Sequence, residues 1–466
     1  MDPEKEKRLQ SLRVIISETC MVFAVIITVL VLAFIVYGYW LGKDFKVERQ
    51  GLLQVSSVPT GAYISIDGSE PSWFQRTNNS KMLSSGEHTV TLTKDGYDSW
   101  SKTVNIAEGL LYRVHYPRLF LLEREKEELF ETDATLATVS PDHDSLLLIN
   151  ETTSWTFLNL DNEVLEPKPL NISELFSGVS LAQGAPVGLF TGEILSTTWN
   201  YNGDKVLFKV QDENSFEWVL LDVKSLKNSV NLTREFGLEF NSIEILDNSA
   251  NSLLAIVSGN LRKIDVSSRS ISVILAENVV NFDHYDTEVI FSAKDQNNDF
   301  YIGNLKLSDS KIKKLDTLDS SAKVLLSRFY EDKYLTVVKD DKLTVFKRDD
   351  GSEIFQTTLT FVPAFASVGH NGEFITLSSA SHLATLDMES MTVREWDVEG
   401  DNFDFLDNDM IYTVSDGELI VYDFDGFNRR SLAKNVSEHF PVMITNDRYL
   451  YYFSDGVLTR EWLISR

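Results

Sequence analysis

The pattern of apolar and polar positions changes character three times along the chain. Cys20 to Leu41 runs 22 residues without one charged side chain. At about 1.5 Å per residue that stretch reaches roughly 33 Å as a helix, enough for a hydrocarbon core of about 30 Å. Only a helix satisfies its own backbone along such a crossing, so residues 20–41 are predicted as a transmembrane helix behind a short tail, 1–19. Tyr37, Tyr39 and Trp40 gather at its far end, where amphipathic rings favour the headgroup level. No small-residue cleavage site follows, which separates this run from a removed signal peptide.

After Gln50 the period becomes two. Leu53 and Val55, then Ala62, Ile64 and Ile66, then His88, Val90 and Leu92, then Val104 and Ile106 alternate with polar neighbours. Such alternation puts one face on a core and the other in water, the pattern of a small antiparallel sandwich over 51–121. Gly61, Gly68, Gly86 and Gly96 fall at the expected strand ends, and Tyr97 and Trp100 are large enough to fill so small a core.

Beyond the charged run Glu123–Glu128, a unit of turn, apolar run, turn and apolar run recurs over 134–466. Its first turns fall at Pro141-Asp142, Asn202-Gly203, Asp247-Asn248, Tyr285-Asp286, Glu331-Asp332, Asn371-Gly372, Asp407-Asn408 and Asn446-Asp447. Their spacing after the first interval is roughly 40 residues, the length of one propeller blade. A closing aspartate recurs at Asp161, Asp222, Asp265, Asp387 and Asp423. Eight turns imply seven or eight blades; a pair of ordinary β-sandwiches is the competing reading. The long first interval, Asn162 to Phe190, holds Pro167, Pro169 and Pro186 and reads as a surface loop rather than a blade strand. The last unit ends one strand short, and Leu119–Leu122 and Leu129-Phe130 are the apolar stretches left over. Residues 122–133 are therefore expected to act as a linker or to pair with the last blade and close the ring.

Two resemblances rest on these residues. Pro59-Thr60-Gly61-Ala62, Ile66-Asp67-Gly68, Leu83–His88 and Gly96–Trp100 resemble the PEGA domain, a β-sandwich module of prokaryotic surface proteins. Thr60 stands where that family has Glu, and the family's Gly-x-Thr-Pro turn survives only as Thr77. Val139–Leu146 and Trp199–Val206 resemble the strand-turn-strand signature of TolB-like β-propellers. The expected fold is mainly β: transmembrane helix, PEGA-type sandwich, then a seven- or eight-bladed propeller.

Charge narrows the partners. The formal net charge is −27, and residues 1–41 contribute nothing to it because four cations there match four carboxylates. So acidic an ectodomain repels phosphate backbones, which argues against nucleic acid. Lys5, Lys7, Arg8 and Arg13 precede the span, and Lys43, Lys46 and Arg49 follow it. That bias, with a short tail before a long domain, places the N-terminus in the cytoplasm and the bulk of the chain outside, as in a signal anchor. The single cysteine, Cys20, allows neither an intrachain disulfide nor a thiolate zinc site in the ectodomain.

Little catalytic chemistry is legible. The seven histidines are scattered, and no Gly-x-Ser-x-Gly or phosphate-cradling glycine loop occurs. Ser-x-x-Lys at Ser99 and Ser308 lacks its companion motifs. Asp295–Asp299 and Asp423–Gly426 are the acidic turns that suggest calcium, but neither completes a calcium loop. Trp73 and Phe74 lie in a loop where strand alternation forces no burial, which makes them the candidate contact residues. The expectation is a non-catalytic envelope protein, with no catalytic residue, cofactor or metal, that binds an envelope protein or polymer. A surface hydrolase or lyase with acidic residues on the propeller axis is one alternative, and a membrane signalling or assembly accessory is another.

Overall fold

A computed structural model describes residues 3–36, 39–41, 47–70, 76–162, 164–180, 188–212, 215–318, 320–369, 372–398 and 403–464. The chain divides into two compact units, Met1–Glu123 and Arg124–Arg466.

The first unit opens with a helix, Pro3–Val36. Proline suits a first helical position, where its missing N–H would have had no partner. The helix takes in most of the stretch expected as a tail, since Glu4 to Arg13 is rich in Glu, Lys, Arg and Leu, all good helix formers. At the other end the expected span to Leu41 is corrected. Tyr39–Leu41 is a strand, paired antiparallel with Val47–Arg49, in keeping with the extended preference of Tyr and Trp. The apolar part of the helix is Ile16–Phe34, 19 residues of mean hydropathy 2.4 with none of that window buried.

The sandwich that follows has two three-stranded sheets. One orders Asn79–Leu83, Gly51–Val55 and Leu111–Val114, the last pair parallel; the other orders Tyr63–Ile66, Gly86–Thr93 and Trp100–Ile106. Alternation buries Leu53, Val55, Ile64, Ile66, Val90 and Leu92, and Trp100 is 0% exposed among them. Gly61, at φ +80°, takes a left-handed turn that a side chain would strain. Thr77 Oγ1 fixes that turn by accepting the N–H groups of Gly61 at 2.9 Å and Ala62 at 3.1 Å.

Among the described residues, the second unit contains eight four-stranded antiparallel sheets. Seven run in simple sequence order, spanning Leu136–Asn171, Glu193–Asn231, Phe240–Ile271, Val279–Leu318, Lys323–Thr358, Phe365–Asp397 and Phe403–Lys434. The eighth joins Met443–Thr445, Tyr449–Ser454 and Val457–Trp462 to Lys126–Glu131. Apolar clusters join each sheet to the next around the first seven. Val442 N–H bonds the Tyr412 hydroxyl at 3.0 Å between the seventh and eighth. Leu146 and Leu148 of the first then pack with Tyr451 and Phe453 of the eighth. This is a closed ring, an eight-bladed β-propeller, and it excludes the pair of sandwiches.

The second strand of each blade is sandwiched between neighbours and is the most apolar: Leu146–Ile149, Leu253–Val257 and Val289–Ala293 are buried throughout. Four of the closing aspartates, Asp222, Asp265, Asp387 and Asp423, end third strands and turn the chain outward, while Asp161 lies two residues beyond the end of its strand at Asn159. Asp222 accepts the N–H groups of Lys224 and Ser225, Asp265 that of Ser268, and Asp387 those of Glu389 and Ser390.

The interval Asn162–Phe190 is not wholly loop. Lys168–Asn171 is the outer strand of the first blade, with Pro169 opposite Thr156. An outermost strand has one free edge, where a missing N–H is harmless, so the proline that argued against a strand is tolerated.

Lys126–Glu131 is the outer strand of the last blade, antiparallel to Val457–Trp462. The join is electrostatically tied. Arg460, only 7% exposed, donates to Glu127 Oε2 at 2.6 Å. Arg124 Nε donates to Glu461 Oε2 at 2.7 Å, and the Tyr452 hydroxyl donates to Glu461 Oε1 at 2.6 Å.

Candidate functional site

The first strand of each blade lies nearest the axis. Asn281 and Asp283 on the first strand of blade 4 reach the backbone of blade 5 just before and within its own first strand, at Ala322 O and Leu326 N–H. The first strands of blades 3 to 6 line a space of about 540 Å³. Where those of blades 2, 3 and 4 turn, at Trp199–Asn202, Leu246–Ser249 and Tyr285–Thr287, a wider cleft of about 1440 Å³ opens. Glu244 borders both.

The turns around the cleft are stiffened by their own side chains. Asn200 Oδ1 accepts from Asp204 and Lys205 N–H, and its Nδ2 donates to Asn248 O at 2.8 Å, which links blades 2 and 3. Asp247 accepts from Ser249, Asn251 and Ser252 N–H. Burial works to raise its pKa, but the bond from the Ser249 hydroxyl and these N–H bonds prevail and hold it below the ordinary carboxylate value. At the far wall Arg328 Nε donates to the Tyr330 carbonyl at 3.0 Å, and its guanidinium lies 3.6 Å from Glu331.

At the floor, Glu244, Asp283 and His284 bring one ligand atom each within 4.8 Å of one another. Burial, with the Glu244 charge nearby, pushes the Asp283 carboxyl up to about 6 against the N–H bonds it accepts from Leu326 and His284. Burial lowers the His284 pKa, but Glu244 and Asp283 together raise it above the ordinary value. His284 Nδ1 lies 3.4 Å from Glu244 Oε2, close enough for charge attraction though not aligned as a hydrogen bond. Both Asp283 oxygens accept backbone N–H groups, at 2.6 Å from Leu326 and 2.7 Å from His284, which fixes the carboxylate between blades 4 and 5.

The sandwich places Asp67, His88 and Ser84 in a row that looks like a nucleophilic triad. His88 Nδ1 is 2.7 Å from Asp67 Oδ2, but its Nε2 is 2.9 Å from the Ser84 carbonyl and 3.4 Å from the Ser84 hydroxyl. A ring nitrogen donating to a carbonyl cannot take a proton from the serine, so the row fastens two turns and activates nothing.

Trp73 and Phe74 lie outside the described residues. In the acidic turns considered for calcium, the carboxylates are engaged locally. Asp295 Oδ1 accepts from Asn297 and Asp299 N–H, and its Oδ2 faces Lys314 at 3.3 Å. Asp423 Oδ2 accepts from Asn428 Nδ2 at 2.8 Å. These are hairpin turn bonds.

Residues 50–118 match the family model of the PEGA domain. No curated protein matches the chain. Among solved structures the chain is similar to an oligogalacturonate lyase in complex with manganese, at 11% identity over 74% of this chain and 98% of that one, with a TM-score of 0.40. It is similar to the Dos1 propeller at 13% identity, over 73% and 95%, with a TM-score of 0.43. It is also similar to an oligogalacturonate lyase from Vibrio parahaemolyticus at 10% identity, over 74% and 98%, with a TM-score of 0.41. The chain thus joins an N-terminal apolar helix, a PEGA domain and an eight-bladed β-propeller.

Proposed function

We propose that this is a single-pass membrane protein of a prokaryotic envelope whose PEGA domain and propeller are held outside the cell as non-catalytic binding or scaffolding modules. The observation that carries the reading is the helix: a 19-residue stretch of mean hydropathy 2.4, none of that window buried, ahead of two β-units with their own cores. An apolar surface of that length left uncovered by protein is suited to lipid. A PEGA match beside it fits a surface protein. The use of the titratable groups supports binding over catalysis, since Asp283 links blades and His88 fastens turns.

The test is topological. Intact protein should remain with membranes through high-salt and carbonate washing, and external protease on cells or spheroplasts should remove residues 42–466. Release by carbonate would overturn the anchor, and full protection would reverse the orientation.

One observation favours the second reading, a surface hydrolase or lyase: Glu244, Asp283 and His284 gather at the mouth of the axis. On that reading Glu244→Gln abolishes turnover of a bound polymer without loss of binding.

A further inference from the structure

The cleft over blades 2 to 4 carries two exposed aromatic rings. Tyr201 is 71% exposed at the tip of the blade 2 turn, and among the described residues its side chain has no partner. Tyr285 is 37% exposed at the blade 4 turn and lines the same cleft. Around them stand planar or charged groups: Asn202, Asp286, Lys263 and Arg328. Rigid amphipathic rings flanked by directional polar groups offer apolar faces and hydrogen bonds in the same few ångströms.

We propose that this cleft binds a neutral, polyhydroxylated oligosaccharide. The proposal rests on the reading of the propeller as a surface binding module and names its ligand class. Sugar rings present C–H faces that stack on tyrosine and edges of hydroxyl groups that pair with amides, carboxylates and guanidinium. Competing classes fit less well. The space, about 1440 Å³, exceeds the roughly 300–1,000 Å³ that encloses a drug-sized molecule, so an oligomer fills it better. A chain of net charge −27 disfavours polyanions. The cleft walls are turns rather than an open strand edge, so a peptide has no register for strand addition. Tyr201 and Tyr285 are the stacking platforms, and Arg328, held through Nε by the Tyr330 carbonyl, is a preset fork for ring hydroxyls.

The experiment uses the full chain in a polyoxyethylene detergent, which has no sugar headgroup to compete. Calorimetric titrations are run with chitohexaose, cellohexaose and laminarihexaose, and with polygalacturonate as the polyanionic arm. At least one neutral hexasaccharide is expected to bind with a sub-millimolar Kd. Tyr201→Ala should weaken it tenfold or more at an unchanged melting temperature, and Tyr201→Phe should retain it. Binding by none of the three, equal binding by Tyr201→Ala, or binding by polygalacturonate alone would each overturn the assignment. Shortened products in the titrated sample would support the cleft and overturn the non-catalytic reading instead. Carbonate release of the protein would overturn the anchor and leave the cleft untouched.

Discussion

Thr77 and His88 show how single side chains set the geometry of the sandwich. Thr77 is all that remains of the family's usual turn, yet its hydroxyl receives both N–H groups of the Gly61-Ala62 turn. The residue that departs from the family, Thr60, is exposed, so its side chain is free to vary. His88 was legible only as a strand residue. Its link to Asp67, 21 positions away, has no spacing signature. Burial lowers the His88 pKa, but the bonds to Asp67 and the Ser84 carbonyl outweigh it and hold the pKa above the ordinary 6.5. The His88 bond in turn holds Asp67 below its ordinary value. A histidine pKa raised by folding adds stability that is complete below about 6.5 and is lost as pH climbs through the folded value. In a pH titration followed by NMR, His88 should therefore show a midpoint above 6.5, and Asp67→Asn should bring it down. An unchanged midpoint would mean that the pair contributes nothing to the charge on His88.

At the scale of elements, legibility followed burial. Second strands such as Leu253–Val257 are covered on both faces and read as unbroken apolar runs. Outer strands such as Lys311–Leu318 are mostly exposed and carry no such run. The outer strand Lys168–Asn171 was hidden further by its proline. The floor of the cleft was illegible for a related reason. Glu244 and His284 stand 40 positions apart, on inner strands that neighbouring blades bring together, so no local motif marks them. The closing strand was readable because one blade lacked an outer strand and one apolar stretch lacked a blade. Its energetic role is open to a direct comparison of residues 124–466 with 134–466. The shorter fragment removes both Glu127, the partner of Arg460, and the whole outer strand that pairs with Val457–Trp462. Thermal unfolding of 134–466 should come earlier and over a wider temperature range. Equal midpoints and equal sharpness would show that the ring holds without the strand.

For the whole molecule, the charge of −27 opposes compaction. Ions shorten the reach of that repulsion, to about 10 Å at 0.1 M salt, so the melting temperature should rise between 10 and 200 mM sodium chloride. A fall would mean that local ion pairs such as Arg124–Glu461 outweigh the collective repulsion. The same ring has a consequence for the order of events at the ribosome. Lys126–Glu131 emerges before any blade exists, and the strand it must join, Val457–Trp462, is made more than 300 residues later. Throughout that interval it is an orphan edge, exposed to pairing with any nascent strand nearby. Four of its six residues are charged, Lys126, Glu127, Glu128 and Glu131, which discourages such trespass. The composition that made this stretch read as a linker thus also keeps the chain's earliest propeller strand vacant for its latest.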